Sequence, residues 1–529
     1  MKNKKYLISL LAVLAFCGIL EGCKNQEIIQ DNSVTDMEWY INFSWFTTSW
    51  GGNEVSRAIT DITETDIRFL TPKGDGSEKL NAMIASDTLP DLITLEWWEP
   101  QNRDMIDKGQ VYALNELADK YDPGFYDVLD EKVVEWYRLA DGNFYSYHNS
   151  FFTPEDFENG DLTSNQNFMV RKDIYEAIGS PDMTSPEGFM EAVRAAARMF
   201  PEVDGEPLIP IGADEFTDTG NDSFGLYLHS FLAVPYEKDG RFYDRNTDSD
   251  YLKWLKVFRD LGEEGYLKGE IFVDKRSQLE KRIEKGQYFC LFYQSTDVMD
   301  SQRVLYNTKP DSIYIAVDGP RNEAGDNPRL PTGGIQGWTS TYISKNCRNP
   351  EKALRLLKYL ISEEGQKMTC LGVEGSMYKM QDGVPVMNKE VTKLLARDRK
   401  AYDEKYGADN AYWMLQNNVM QQQWIKEKES PVSQMQEWTK PYTVYVSQYE
   451  INPTSDSQFS VLYDRQQRIW GETLPRLLLA EREEEFDRIL QEYLVKRTEN
   501  GYEEYAEKLT QLYKKNKEKL GLTEESTDE

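Results

Sequence analysis

Histidine is almost missing from this chain: 529 residues hold two, His148 and His229. There is also no G-x-S-x-G, no H-E-x-x-H, no P-loop and no Cys-His arrangement, so the usual nucleophilic, zinc-dependent and nucleotide-driven chemistries have no residues to use. Positive charge is short too, 61 Lys and Arg against 91 Asp and Glu, a formal net charge of -30. Such a chain offers no electrostatic footprint to nucleic acid, repels polyanions unless a basic patch intervenes, and favours neutral ligands. Of five cysteines, Cys17 and Cys23 belong to the N-terminal segment. Cys290, Cys347 and Cys370 are odd in number and spaced for neither a disulfide framework nor a zinc site, so they read as buried free thiols. Residues 74–78 (GDGSE) and 247–250 (TDSD) carry oxygen ligands but lack the twelve-residue calcium-loop spacing and read as turns. No metal or cofactor is expected.

Beyond the N-terminus no apolar stretch approaches the roughly 20 residues of a spanning helix. The N-terminus itself, MKNKKYLISLLAVLAFCGILEGC, places Lys2, Lys4 and Lys5 before an apolar run from Tyr6 to Leu20, the layout of an export signal. Its end, LEGC, resembles a bacterial lipobox, with Glu21 departing from the small or hydroxyl residue usual there. Residues 1–22 are therefore expected to be removed and Cys23 to be acylated, with 23–37 a polar linker; the alternative is an ordinary secreted protein cleaved nearby.

About 500 mature residues exceed what one core supports, so two lobes are the default. EWYINFSWFT alternates as a strand should and runs into the turn at Trp50, Gly51 and Gly52. VYALNELADKY reads as a short amphipathic helix. TSPEGFMEAVRAAARMF is a stronger helix, capped by Thr184 or Ser185 with Pro186 in its first turn, and NPEKALRLLKYLISEEG repeats the device with Asn349 and Pro350. GQYFCLFYQSTD is an unbroken apolar run, hence a strand buried on both faces that leads into a helix. After residue 390 the chain turns mostly helical, with a helical hairpin over Phe486–Leu512 and an acidic tail, TEESTDE. The fold class is α/β.

In order, the acylated Cys, LPDLI, KGQVYALNEL, DGNFYSY, MVRKDIYEAIG, LEKRIEKGQYFCLFYQS and GGIQGWTSTYISKNCRNPEKALRLLKYLISEEGQ resemble the extracellular solute-binding proteins of bacterial ABC carbohydrate importers, in particular the large lipoprotein branch of Gram-positive bacteria. The resemblance spans nearly the whole mature chain. It implies a two-lobed periplasmic-binding-protein-like fold (type II) with a helical C-terminal extension, lobe 1 from 38–150 and 311–375, lobe 2 from 151–310 and 376–529. It also implies a monomer on the outer face of the cytoplasmic membrane, anchored in lipid through Cys23, that passes an oligosaccharide to the importer's membrane subunits and binds no nucleic acid. Two rivals stay open: a secreted glycoside-active enzyme, which needs only two carboxylates, and a peptide-binding member of the same fold.

The resemblance brings particular side chains to the cleft, where flat rings meet the apolar faces of sugars and amides meet their edges. LPDLITLEWWEP ends in Trp97 and Trp98, which a strand would point to opposite faces, so one of the two is expected in the cleft. Trp50, beside two glycines, is preferred over Trp45, which could equally be core. Tyr293 and Gln294 close the CLFYQ strand, with a core-capping Tyr as the alternative. Trp338 follows Gly333, Gly334 and Gly337, which would let backbone approach a ligand, though a hinge-packing role is open. Tyr145, Tyr147 and His148 lie near the first crossing, and of these Tyr145 is the site candidate. The late tryptophans, Trp413, Trp424, Trp438 and Trp470, read as glue between the helical region and its lobe.

Overall fold

The computed structural model describes residues 34–522 except 75, 161, 426–431 and 454–456; the export signal, Cys23 and the acidic tail lie outside the described residues. The strands that build the two large sheets are β1 (Thr35–Ile41), β2 (Thr65–Leu70), β3 (Leu92–Glu96), β4 (Ser146–His148), β5 (Gln166–Arg171), β6 (Ile209–Gly212), β7 (Tyr288–Gln294), β8 (Tyr314–Ala316) and β9 (Thr339–Ile343). The first sheet runs β2-β1-β3-β9-β4 and the second β8-β5-β7-β6. β1 lies parallel to β2 and β3, β6 lies parallel to β7, and β9 is antiparallel to both its neighbours. Each sheet is covered by helices and has its own core. Among the described residues no helix is long and apolar enough to cross a membrane.

Local chemistry explains most elements. β7 is buried along its length until Gln294, as an unbroken apolar run requires. The helix Pro186–Met199 is capped by the Ser185 hydroxyl, which accepts from the Gly188 N–H, and Asn349 accepts from the Lys352 N–H at the start of Pro350–Ile361. Asp248 of the Thr247–Asp250 turn caps the helix Ser249–Glu263. Cys290, Cys347 and Cys370 are buried free thiols. The final helices, Ser457–Leu478, Glu483–Glu499 and Tyr502–Leu520, form the expected helical end, with Gly501 at φ 90° making the hairpin turn.

Two expected lobe boundaries move. Residues 314–316 pair with β5, so the chain is still in the second sheet there and returns to the first only through the segment 331–338. Residues 377–415 stay with the first core instead of leaving it near 376. Val391, Tyr402, Tyr406 and Trp413 pack there, the Tyr406 carbonyl accepts from the Val55 N–H, and the Tyr412 hydroxyl donates to the Ser49 carbonyl. The last helix also reaches back, with Lys519 bonded to the Trp136 carbonyl and Leu520 against the first core.

The crossing segments are stitched by polar groups. Gln336 donates to the Ser447 carbonyl at 2.9 Å, and Asn149 accepts at its side chain from the Thr339 N–H at 2.8 Å. Glu450 lies beside this junction, where a side chain at Gly334 would meet its carboxylate. Burial pushes its carboxyl up to about 7. A folded pKa above the unfolded one means the native state holds the proton longer, so stability present below about pH 4.5 is lost as pH rises through 7. Glu450→Gln is expected to be more stable than wild type at pH 8 by about 1–3 kcal/mol, with the gap closing by pH 4.5. Thermal melts of both proteins across pH 4–8 check this; a gap independent of pH contradicts it.

Candidate functional site

The C-terminal ends of parallel strands are where open α/β sheets leave a crevice. In the first sheet β1 runs out through Phe43, Trp45 and Phe46, and β3 ends at Glu96. Phe43 is buried beneath three tryptophans, its ring centre 5.2 Å from Trp45, 5.4 Å from Trp338 and 5.3 Å from Trp413. Trp338 stacks on Trp413 at 4.4 Å and lies parallel to Trp45, 3° between planes at 6.2 Å. Trp413 is 9% exposed and Trp45 46%, so the stack is anchored at one end and offers a bare ring at the other. The Trp338 side chain lies beside the Glu96 carboxyl and favours its charged form.

The second sheet presents a polar wall. Asp214 follows β6, Asp222 opens the turn Ser223–Tyr227, Tyr293 and Gln294 end β7, and Asp297 sits in the first turn of the helix Ser295–Thr308. Ser223 ties this wall together, accepting from the Asp214 N–H at 2.8 Å and donating to the Phe292 carbonyl at 2.7 Å. Arg276, opening the helix Arg276–Glu284, is paired with Glu280 at 2.9 Å and Asp297 at 3.4 Å. Its guanidinium carbon lies 6.0 Å from the centre of the Trp45 ring, so the two walls face each other.

The electrostatics follow from that approach. Glu96 is pushed up to about 8, first by burial and then by Glu99 and by Asp222 from the opposite wall, while the neighbouring Trp338 works the other way. Burial with Asp222 and Asp297 nearby raises Asp214 to about 6, and burial and Asp297 raise Asp222, which keeps contact with solvent inside the cleft. Tyr293 is 1% exposed and its hydroxyl, among Asp297, Arg276 and Asp214, has no hydrogen-bond partner. A buried hydroxyl left unpaired costs free energy that a ligand atom can restore. Together the walls can sandwich a molecule with apolar faces and a hydroxyl-rich rim.

The structure thus brings Trp338, Tyr293 and Gln294 to the cleft walls. Trp97 and Trp98 are not strand residues, because β3 stops at Glu96 and a turn follows, closed by the Glu99 N–H on the Glu96 carbonyl. The alternation argument therefore does not apply; the rings meet edge to face at 5.6 Å, Trp97 9% and Trp98 41% exposed. The Trp97 N–H donates to the Trp338 carbonyl, which sets the pair beside the aromatic wall.

Trp50 does not join that wall. Its indole donates to the Thr60 hydroxyl at 2.9 Å and its ring packs on Tyr412 and Phe69, beside a separate groove of about 700 Å³. Tyr145 donates to Asp141 at 2.6 Å and packs on the small cluster around Tyr342. His148 is a core residue, stacked on Tyr137 and held near pKa 3 by burial. Gly334 and Gly337 serve close approach of backbone to protein, since a Cβ on them would lie 2.0 Å from the Ser447 hydroxyl and 2.1 Å from the Asn149 carbonyl. Trp438 and Trp470 do tie the later chain to the second core, through Phe231 and Tyr251, whereas Trp424 packs on Cys370, Leu371 and Tyr378, and Trp413 belongs to the first wall because residues 377–415 fold back there. From the sequence Trp45 ranks behind Trp50 and Trp413 reads as glue, while Glu96 and the three aspartates are not singled out; reading the last residue of each strand and those just past it would have found Glu96, Asp214 and Asp297.

The family described as bacterial extracellular solute-binding protein matches residues 60–367. The chain belongs to this family. Its members in view are binding proteins rather than enzymes. It is 19% identical over 409 residues to the polygalacturonan/rhamnogalacturonan-binding protein YtcQ of Bacillus subtilis, covering 74% of this chain and 77% of that one. With the fructooligosaccharide ABC transporter substrate-binding protein FusA of Streptococcus pneumoniae it shares 26% identity over 323 residues, 54% of this chain and 57% of FusA. Among solved structures, the alginate-binding protein AlgQ2 superposes with a TM-score of 0.67 at 16% identity, over 91% of this chain and 98% of AlgQ2. An EF-hand mutant of FusA in complex with fructo-nystose gives 0.65 at 15%, over 92% and 100%. These superpositions show the shared two-sheet fold.

Proposed function

We propose that this solute-binding protein captures an oligosaccharide between its lobes and passes it to the membrane subunits of an ABC importer, without catalysis. The observation that carries the reading is the opposition of a tryptophan stack ending in exposed Trp45 to a wall holding an unpaired Tyr293 hydroxyl. Sugars need that pairing of flat apolar surface and directed polar groups. Relatives named for oligosaccharide and polysaccharide binding support it. The proposed contacts are Trp45, Trp338, Tyr293, Gln294 and one of Trp97 and Trp98; Trp50 and Tyr145, satisfied within lobe 1, are not among them. Because contacts come from both lobes, ligand binds the closed arrangement more tightly and so drives closure.

Calorimetry against a panel of oligosaccharides, with a peptide panel alongside, tests this. Saccharide binding with the sugars recovered intact is the expected result. Binding of peptides alone, or release of smaller sugars in proportion to protein, overturns it.

The body is held outside the cell by lipid on Cys23. Wild type is expected to fractionate with membranes and Cys23→Ala to appear in the medium, since an acyl anchor with more than one chain is what makes such attachment stable. Wild type already released into the medium contradicts the anchor and leaves the binding reading untouched.

A further inference from the structure

Resting on the oligosaccharide reading, we propose that the cleft selects uncharged glycans and rejects uronate-bearing ones, because its polar wall is built to accept hydrogen bonds from hydroxyls and because, among the described residues, the cations on that wall, Lys275 and Arg276, are already paired with carboxylates. The second-lobe wall presents Asp214, Asp222 and Asp297. The guanidinium that reaches the aromatic wall, Arg276, is already engaged by Glu280 and Asp297. Its neighbour Lys275 is paired with Glu215 at 2.5 Å, and the same carboxylate accepts the Arg276 N–H.

The buried Tyr293 hydroxyl adds an observation independent of the acidic groups. It lies unpartnered among Asp214, Asp297 and Arg276, an open hydrogen-bonding capacity that a ligand atom can fill. A sugar hydroxyl both donates and accepts: it can donate a hydrogen bond to an aspartate while accepting one from Tyr293. A uronate carboxylate accepts only. It would satisfy Tyr293 but meet the aspartates as a like charge in a poorly screened crevice, with Lys275 and Arg276 already paired. Rejection here comes from a built-in repulsive element, which is how a site discriminates between ligands of similar shape.

The test uses the mature chain and the tightest binder found in a panel of neutral gluco-, galacto-, manno- and fructo-oligosaccharides. Its affinity is compared by calorimetry with that of the same sugar oxidised at its primary hydroxyls to carboxylates, and with tetragalacturonate. The expected result is binding at least about 30-fold weaker for both acidic probes, with the gap narrowed several-fold by Asp222→Asn and by raised salt. An acidic probe bound as tightly as the neutral one overturns the proposal while leaving the oligosaccharide reading standing. A gap that Asp222→Asn, Asp214→Asn and salt all fail to narrow also overturns it, since the discrimination would then be steric. Binding of neither class removes the oligosaccharide reading itself, and the proposal with it.

Discussion

Trp338→Ala is expected to weaken saccharide binding by roughly 30- to 1000-fold, about 2–4 kcal/mol, the range of a buried aromatic anchor at the centre of an interface. Two roles converge on this side chain. Its ring packs against both Trp45 and Trp413, so without it the triad loses one of its three rings and Trp45 loses the surface parallel to it. Its indole lies beside Glu96 and works against the rise in that carboxyl's pKa. The backbone carbonyl that accepts from Trp97 is kept in the variant, so the Trp97–Trp98 turn should stay in place. Trp338→Phe keeps a ring but loses the N–H, and should fall between wild type and alanine. The informative contrast is Trp50→Ala. That ring packs on Phe69 and Tyr412, so the variant should melt at lower temperature yet bind saccharide within about twofold of wild type. Calorimetry beside thermal melts checks the pair, and the reverse pattern would place the ligand in the groove beside Trp50.

The second large effect is on the crossing. Gly337 adopts φ +69°, and a Cβ there would lie 2.1 Å from the Asn149 carbonyl oxygen, a backbone atom that cannot swing aside. That carbonyl is itself held, since it accepts the Trp338 N–H at 3.0 Å while the Asn149 N–H donates to Thr339. Gly337→Ala therefore combines left-handed strain with a collision and is expected to cost on the order of 3 kcal/mol of stability. Saccharide affinity should fall as well, because the next residue is Trp338. Gly325→Ala separates the two causes: Gly325 sits at φ +75° with nothing near its missing Cβ, so strain alone acts there and about 1 kcal/mol is expected. Equal losses in the two variants would show that the collision is relieved without effort.

Elements whose environment is uniform were legible in the sequence. β7 is buried on both faces from Tyr288 to Tyr293, and its sequence is apolar or aromatic over that stretch for that reason. The helix Pro350–Ile361 begins at Asn349 because an Asn side chain followed by Pro suits a helix start and little else. Features fixed by distant chain were not legible. Trp97 and Trp98 look like the end of a strand, but Asn102 and Glu99 bind both the carbonyl and the N–H of Glu96 and terminate β3 one residue earlier. Trp413 stands in a segment with the same helical and aromatic character as the chain that follows it, and contacts with distant chain, Tyr406 with Val55, Tyr412 with Ser49 and the Trp413 carbonyl with the Asn149 amide, draw it to the first wall. Asp214, Asp222 and Asp297 are three of 91 acidic residues; their convergence exists only once β6 and β7 lie side by side. Tyr293, Gln294 and Trp338 could be placed near the facing ends of the two sheets in advance because each sits at a strand end or a Gly-rich crossing.

The location of the ligand is the central claim, and a crystal structure of the mature chain with the saccharide identified by calorimetry tests it most directly. The account predicts a sugar ring packed on the face of Trp45 or Trp338, with a hydroxyl hydrogen-bonded to Tyr293 and another to one of Asp214, Asp222 and Asp297. A sugar lodged instead in the groove between Trp50, Phe69 and Lys73, with the Trp45–Arg276 side of the cleft untouched, would contradict it.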